Sequence, residues 1–224
     1  MATIIFIQKS SFDIQAPMIL SGMLKIHGHE VHLLIESEER NLIEIIEELK
    51  PDLVAFSVVS LERNWALQLS TMIKKRLNVK IIFGGVDPTF SPTIINYPCI
   101  DMVCIGEGEY AIVELMNNWN HADLPVNIEN LWIKKNDTIY ENNVRPLIQD
   151  LDSLPLPDRA LYYDRYHFLK EYPIKRFHVG RGCPYNCIFC CNKGLKQIYR
   201  GKGKYVRKHS VDYSLEEIKG HWTF

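Results

Sequence analysis

Three cysteines, Cys183, Cys187 and Cys190, stand in the run Cys183-Pro184-Tyr185-Asn186-Cys187-Ile188-Phe189-Cys190, just after an apolar stretch. Thiolates at that spacing share one short loop, and the cage of a [4Fe-4S] cluster ordinarily takes four of them. A tight triplet therefore leaves one iron without a protein ligand and open to chemistry. Zinc is the main rival, but structural zinc sites pair a CxxC with a second Cys or His pair further along the chain, and none follows here. Cys191 could complete a set of four thiolates, although neighbouring side chains in an extended or turning chain tend to point apart. A disulfide framework suits neither six cysteines in 224 residues nor the long apolar strands. Cys99 and Cys104 lie beside or in an apolar segment and read as small buried hydrophobes.

The elements that must position such a loop are legible upstream. Short apolar runs recur at Thr3 to Ile7, Glu30 to Ile35, Leu53 to Val59, Lys80 to Phe83 and Met102 to Ile105, each of strand length and rich in Val, Ile and Phe. Between them Leu42, Ile45, Ile46 and Leu49 share a helical face, as do Ala66, Leu69, Ile73 and Leu77, and Ala111, Ile112, Leu115, Met116 and Trp119. Strand and helix in alternation predict a parallel sheet covered on both sides by helices through right-handed crossovers. Five strands fit a flavodoxin-like (Rossmann-like) α/β fold of order 2-1-3-4-5, in which ligands lie beyond the carboxyl ends of the strands. The loops there are Lys9 to Gln15, Ser57 to Leu61, Gly84 to Thr89 and Gly106 to Glu109.

The CxxxCxxC triplet resembles the cluster motif of the radical S-adenosylmethionine (SAM) superfamily, with Gly180-Arg181-Gly182 as a close-approach turn after a strand at Phe177-His178-Val179 and Phe189 before the third cysteine. The first half is similar to the cobalamin-binding domain of B12-dependent radical SAM enzymes. That likeness rests on Lys25 to Val31, the double-glycine loop Gly84-Gly85-Val86-Asp87-Pro88-Thr89, the turn Gly106-Glu107-Gly108-Glu109, and the Pro-rich linker Asp150 to Pro157. The resemblance implies that Cys183, Cys187 and Cys190 hold a [4Fe-4S] cluster and that SAM chelates the open iron. It implies that Ser57, Gly84, Gly85, Thr89 and Gly106 border a corrin. Reductive cleavage of SAM would yield a 5'-deoxyadenosyl radical, methylcobalamin would supply a methyl group for an unreactive carbon, and oxidative cyclisation or other rearrangement are alternative outcomes. A flavodoxin or ferredoxin would be the reductant.

Gly84 and Gly85 suit this placement, because a side chain at the strand end would hold a large flat ring away. The DxHxxG motif by which some cobalamin domains ligate cobalt through His, and which many members of the B12 radical SAM family lack, is absent: Asp13-Ile14-Gln15-Ala16-Pro17-Met18 stands in its place. Glu107 and Glu109 read as carboxylates favoured at a helix start. His27, His29 and His32 surround a helix-ending Gly28 and enter a strand.

These readings divide the chain into a cobalamin-binding-like domain over 1–120, a hairpin and Pro-rich linker over 121–173, and the start of a radical SAM (β/α) partial barrel over 174–224. The hairpin joins Asn130 to Lys134 with Thr138 to Tyr140 through Asn136-Asp137. A helix is expected at Ser214 to Lys219, and the chain ends soon afterwards, whereas such barrels run to about 200 residues or more. It therefore reads as the N-terminal part of an enzyme. A non-catalytic corrinoid or cluster-binding module and an inactive fragment are the competing readings.

Composition narrows the partners. Met1 to Ile7 is too short for a signal-peptide core or a membrane span, and free thiols without an export signal point to the cytoplasm. The run Lys193, Lys196, Arg200, Lys202, Lys204, Arg207 and Lys208 contains no acidic residue and is interrupted by Tyr199 and Tyr205. A nucleic-acid surface is one reading of it. A net charge of -1 over the whole chain favours a solvated basic loop instead.

Overall fold

Strands made of unbroken Val, Ile, Leu and Phe suit positions buried on both faces. Five of them form the parallel part of a seven-stranded sheet in a computed structural model that describes residues 1–120 and 123–222. They are β1 (Thr3–Gln8), β2 (Glu30–Ile35), β3 (Leu53–Ser57), β4 (Lys80–Gly84) and β5 (Met102–Cys104). Their order is β2-β1-β3-β4-β5 and every pairing among them is parallel, as the alternating pattern predicts. β3 ends two residues earlier than the apolar run suggests, because Val58 turns its N–H to the Gly84 carbonyl at 2.8 Å and its own carbonyl to the Asp87 N–H at 3.1 Å.

Contacts divide the chain into two compact units, Met1–Ser11 with Leu24–Val144, and Phe12–Met23 with Arg145–Phe224. Successive parallel strands are joined by α1 (Gln15–Ile26), whose residues fall in both units, and in the first unit by α2 (Leu42–Leu49), α3 (Arg63–Arg76) and the short α4 (Val86–Phe90), while α5 (Glu109–Asn117) follows β5. α2 stops at Lys50, whose φ of 46° is left-handed and whose N–H returns to the Ile46 carbonyl. α3 ends in Lys74, Lys75 and Arg76, cations suited to the negative end of a helix. Its buried face, Ala66, Leu69 and Ile73, joins a core centred on Phe56, which lies 5.1 Å from the Phe83 ring and 5.9 Å edge-on from Trp65. Trp119, expected on the α5 face, lies past the end of that helix.

The hairpin forms where Asn136 and Asp137 place it, with φ of 49° and 62° at the turn. Its strands β6 (Leu131–Lys135) and β7 (Thr138–Glu141) do not stand in a linker but continue the sheet antiparallel from β5. β5 is only three residues long and would otherwise be an open edge. Leu131 and Ile133 are fully buried opposite Cys104 and Met102.

In the second unit α6 (Ala160–Tyr163), α7 (His167–Glu171), β8 (Gly180–Arg181), α8 (Cys191–Ile198), β9 (Arg207–Lys208) and α9 (Val211–Trp222) follow in order. The strand expected at Phe177 to Val179 begins instead at Gly180, where β8 pairs antiparallel with β9. The glycines explain the shift: a Cβ on Gly180 would lie 2.6 Å from the Arg207 carbonyl, and one on Gly182 (φ 83°) would strike the Tyr205 carbonyl. Bare backbone lets the two segments meet, so Gly180 and Arg181 are paired strand and not the turn expected there. α9 covers the helix foreseen at Ser214 to Lys219. The basic run, expected as a solvated loop, begins within α8. Among the described residues no helix is long and apolar enough to cross a membrane.

Asn130 pins β5 to β6. It is 1% exposed at φ 72°, its side-chain amide donates to the Ile105 carbonyl at 2.7 Å, and its own carbonyl accepts from Ile105 N–H at 2.8 Å. Asn130→Ala strains the backbone and leaves a buried carbonyl short of a donor, and should cost about 2–3 kcal/mol. Asn130→Gly, which relieves only the strain, should cost less. Urea unfolding midpoints of the two variants check the order.

Candidate cofactor site

Three loops leave the carboxyl ends of β3, β4 and β5, and the middle one braces the other two. Gly85 has φ 98°, and a Cβ there would lie 2.8 Å from the carbonyl and 2.9 Å from the nitrogen of Val58. The Thr89 hydroxyl donates to the Gly85 carbonyl at 2.7 Å and accepts the Gly106 N–H at 3.0 Å, which ties the loop after β4 to the loop after β5. Asp87, 3% exposed, receives Arg63 through Nε and Nη2, both at 2.8 Å, and Ser60 Oγ at 2.9 Å. That hydrogen bond holds the Arg63 guanidinium above its ordinary pKa, against a smaller opposing effect of burial.

Of the five residues read from the sequence as corrin neighbours, Gly84, Gly85, Thr89 and Gly106 are thus joined in one braced shelf, and the Ser57 hydroxyl faces Gly85, 3.3 Å from where its Cβ would stand. The reason for the second glycine differs from the one expected: the space left by its missing Cβ is taken by Val58, inside the unit. The Thr89 hydroxyl is likewise engaged internally. Gly84 has bare backbone of the kind a ligand can use, since a Cβ there would meet only the Cys104 Cβ at 3.6 Å and the Phe56 carbonyl at 4.0 Å. Around it Val59, Leu61 and Val86 are exposed at 46%, 96% and 40%, an apolar rim at the strand ends that the sequence pattern hid inside loops. Bare Gly84 and that rim fit a large flat ring such as a corrin.

The segment standing where a cobalt-ligating motif would lie is occupied otherwise. Asp13 accepts from Arg176 Nη1 at 3.2 Å and Tyr163 hydroxyl at 3.3 Å, and lies 3.7 Å from Arg159 Nη1. Arg159 in turn donates to Glu217 at 2.8 Å and to the Arg176 carbonyl at 2.9 Å, with its guanidinium 4.6 Å from the centre of the Phe177 ring. Those contacts anchor the stretch that leads to the cysteine loop. The charged pair Arg159 and Glu217, each 4% exposed in its side chain, was not foreseen; long range in sequence left no local signal.

In the second unit Cys183 and Cys190 are half-buried, Cys187 and Cys191 are exposed, and all four are free thiols. Cys190 caps α8, whose first residue is Cys191. Asn192 Nδ2 lies 3.4 Å from Cys190 Sγ, and this hydrogen bond holds the Cys190 thiol below its ordinary pKa, while partial burial and the adjacent Cys190 push Cys191 the other way. Burial pushes the Tyr205 phenol up to about 12, so it stays a donor, 2.7 Å from Asn192 Oδ1. The donor chemistry fits an iron-sulfur cluster: three reduced thiols on one accessible loop, one of them biased toward thiolate. Among the described residues no group of three His, Cys, Asp or Glu side chains lies close enough to hold a metal ion, so the loop carries the thiols without gathering them. The neighbouring side chains Tyr185, Ile188 and Phe189 are 72%, 87% and 91% exposed.

Residues 14–116 match the B12 binding domain family. Over 182 residues the chain is 32% identical to an uncharacterized methyltransferase of Pyrococcus horikoshii, covering 80% of this chain and 38% of that protein. Two solved structures share the fold across 98% of the chain. The radical SAM methyltransferase TsrM of Kitasatospora setae, solved with tryptophan substrate and a SAM analogue, superposes with a TM-score of 0.74 at 17% identity over 45% of its length. The cobalamin-dependent SAM radical enzyme OxsB, solved with aqua-cobalamin and SAM, gives 0.77 at 19% identity over 31% of its length. Residues 14–116 are therefore similar to a B12 binding domain. The chain as a whole shares the fold of the two solved structures, and it spans less than half the length of these three relatives.

The two glycines should part company on substitution. Gly85→Ala forces a side chain onto the Val58 backbone at a positive φ and should lower stability by about 1–3 kcal/mol. Gly84→Ala should stay within about 1 kcal/mol of the parent, as an added methyl in ordinary contact does. Thermal unfolding of the two variants side by side measures the difference; equal losses would mean that Gly84 is also enclosed.

Proposed function

We propose that the chain is the cofactor-binding part of a B12-dependent radical SAM methyltransferase that acts on an unreactive carbon. The observation that carries the reading is the presence, in one chain, of a matched B12 binding domain and of three free thiols in CxxxCxxC spacing on an accessible loop. Cys183, Cys187 and Cys190 would hold a [4Fe-4S] cluster, and Gly84, with Ser57, Val59, Leu61 and Val86 around it, would face the corrin. Gly85, Thr89 and Gly106 keep that shelf in shape from behind. Bound together, the cluster, SAM and cobalamin supply reductive cleavage of SAM and a transferable methyl group. The protein's own part is to position them and to exclude water. Asp13 is engaged with arginines and no imidazole follows it, so cobalt would have no ligand from that segment. A flavodoxin- or ferredoxin-type protein would deliver electrons, and the free thiols suit a reducing compartment. Methyl transfer is favoured over other outcomes by the methyltransferase names of the Pyrococcus relative and of TsrM.

Anaerobic reconstitution with iron and sulfide should give a [4Fe-4S] chromophore in the wild-type chain. Cys187→Ala should abolish it and Cys191→Ala should keep it. Tightly bound zinc without acid-labile sulfide would defeat the proposal, and equal loss in both variants would make Cys191 a fourth ligand. Hydroxocobalamin should bind in the same preparation, and its reduced Co(II) signal should lack nitrogen superhyperfine splitting from a protein imidazole.

A further inference from the structure

Lys196 reaches back from the last turn of α8 to the loop that carries the cysteines. Its ammonium donates to the Pro184 carbonyl at 3.0 Å, the Tyr185 carbonyl at 2.8 Å and Asn186 Oδ1 at 2.8 Å. Those are the three residues between Cys183 and Cys187, and three hydrogen bonds use every donor that a lysine ammonium has. Ordering so long a side chain costs rotamer entropy, so three converging charge-assisted bonds mark it off from a lysine that is merely solvated. The other half of the loop is tied to the same helix, since α8 starts directly after Cys190 and Asn192 contacts the Cys190 sulfur. Lys196 also lies 5.8 Å from the centre of the Tyr205 ring, and Tyr205 in turn donates to Asn192.

We propose that Lys196 is a positioning residue for the iron-sulfur site, a clamp that sets the spacing of Cys183 and Cys187 against Cys190; this rests on the proposed cluster function. Its charge is not needed to touch substrate or SAM. By binding both carbonyls and the Asn186 amide oxygen it fixes the backbone of the first spacer, so that the loop has fewer conformations to lose when the thiols close on iron. A point charge with three rotatable donors suits acceptors that converge from different directions, whereas the planar fork of arginine meets only some of them.

The test compares the wild-type chain with Lys196→Met, Lys196→Arg and, as a control from the same basic run, the exposed Lys193→Met. In the metal-free proteins, amide hydrogen exchange across Cys183 to Cys190 should quicken in Lys196→Met and stay unchanged in Lys193→Met. After anaerobic reconstitution, iron should leave to excess chelator about ten-fold faster from Lys196→Met, as loss of a group supporting metal ligands does. Lys196→Arg should fall between, and circular dichroism should match in all four. Unchanged exchange in metal-free Lys196→Met overturns the clamp, whatever the wild type does with iron. So does iron release at the wild-type rate from a variant that takes up the cluster. A wild-type chain whose loop is ordered by Lys196 but which forms no cluster overturns instead the functional reading, and with it the role given to the clamp.

Discussion

The carboxyl edge of the first sheet depends on how closely the loop after β4 can approach the end of β3. Val58 spends its N–H on Gly84 and its carbonyl on Asp87, and that exchange is possible only because Gly85 carries no Cβ. Once the approach is made, Asp87 is drawn in, almost fully buried, where an unpaired carboxylate would be costly. Arg63 and Ser60, from the start of the next crossover, complete it. Thr89 then passes the constraint to Gly106 after β5. One close backbone contact thereby sets three loops, and what remains above them is the half-buried, bare Gly84 and an exposed apolar rim.

Much of this was readable in advance because periodicity and turn chemistry are local. Val, Ile and Phe runs marked the strands, and Asn136-Asp137 marked the hairpin turn. The places where expectation and structure part are those decided by contacts far apart in sequence. Nothing around residue 131 says that β6 will cover β5, since a short polar-ended strand pairs equally well in a linker; the buried Leu131 and Ile133 decide it only once Cys104 and Met102 lie opposite. Gly180 looked like a turn because its partner, Lys208, is remote. The double glycine is visible as a ligand loop, but only the folded chain distinguishes a glycine that leaves room for a ligand from one whose room is already filled.

The cysteine loop presents the converse case. Its chemistry is plain in the sequence, since the spacing of three thiols survives without any fold at all, yet the loop by itself does not gather the thiols. Cys183, Cys187 and Cys190 lie on one segment with exposed aromatic and aliphatic neighbours, and the hydrogen bonds that order it come from side chains further along. Metal binding commonly completes such a loop, because ligand closure and local ordering are one free-energy change. A loop held at both ends and open in the middle suits that division of labour.

The basic run takes on a different meaning in this light. Read as charge alone, a stretch with no acid between Glu171 and Asp212 suggests either an anionic partner or a solvated surface. Two of its cations have internal work: Lys196 binds the cysteine loop, and Arg207, 7% exposed, donates to the Ile148 carbonyl at 2.7 Å. Gly203, at φ 105°, makes the room into which the Gln149 side chain packs, and its amide oxygen Oε1 accepts the Lys204 N–H at 2.9 Å. Lysine and arginine offer donors and no acceptors, so they are the side chains best able to satisfy backbone carbonyls in a segment with little regular secondary structure to do so. Lys196 and Arg207 are thus held by backbone carbonyls that lie outside regular secondary structure, and the basic character of the run follows in part from the need of those carbonyls for donors.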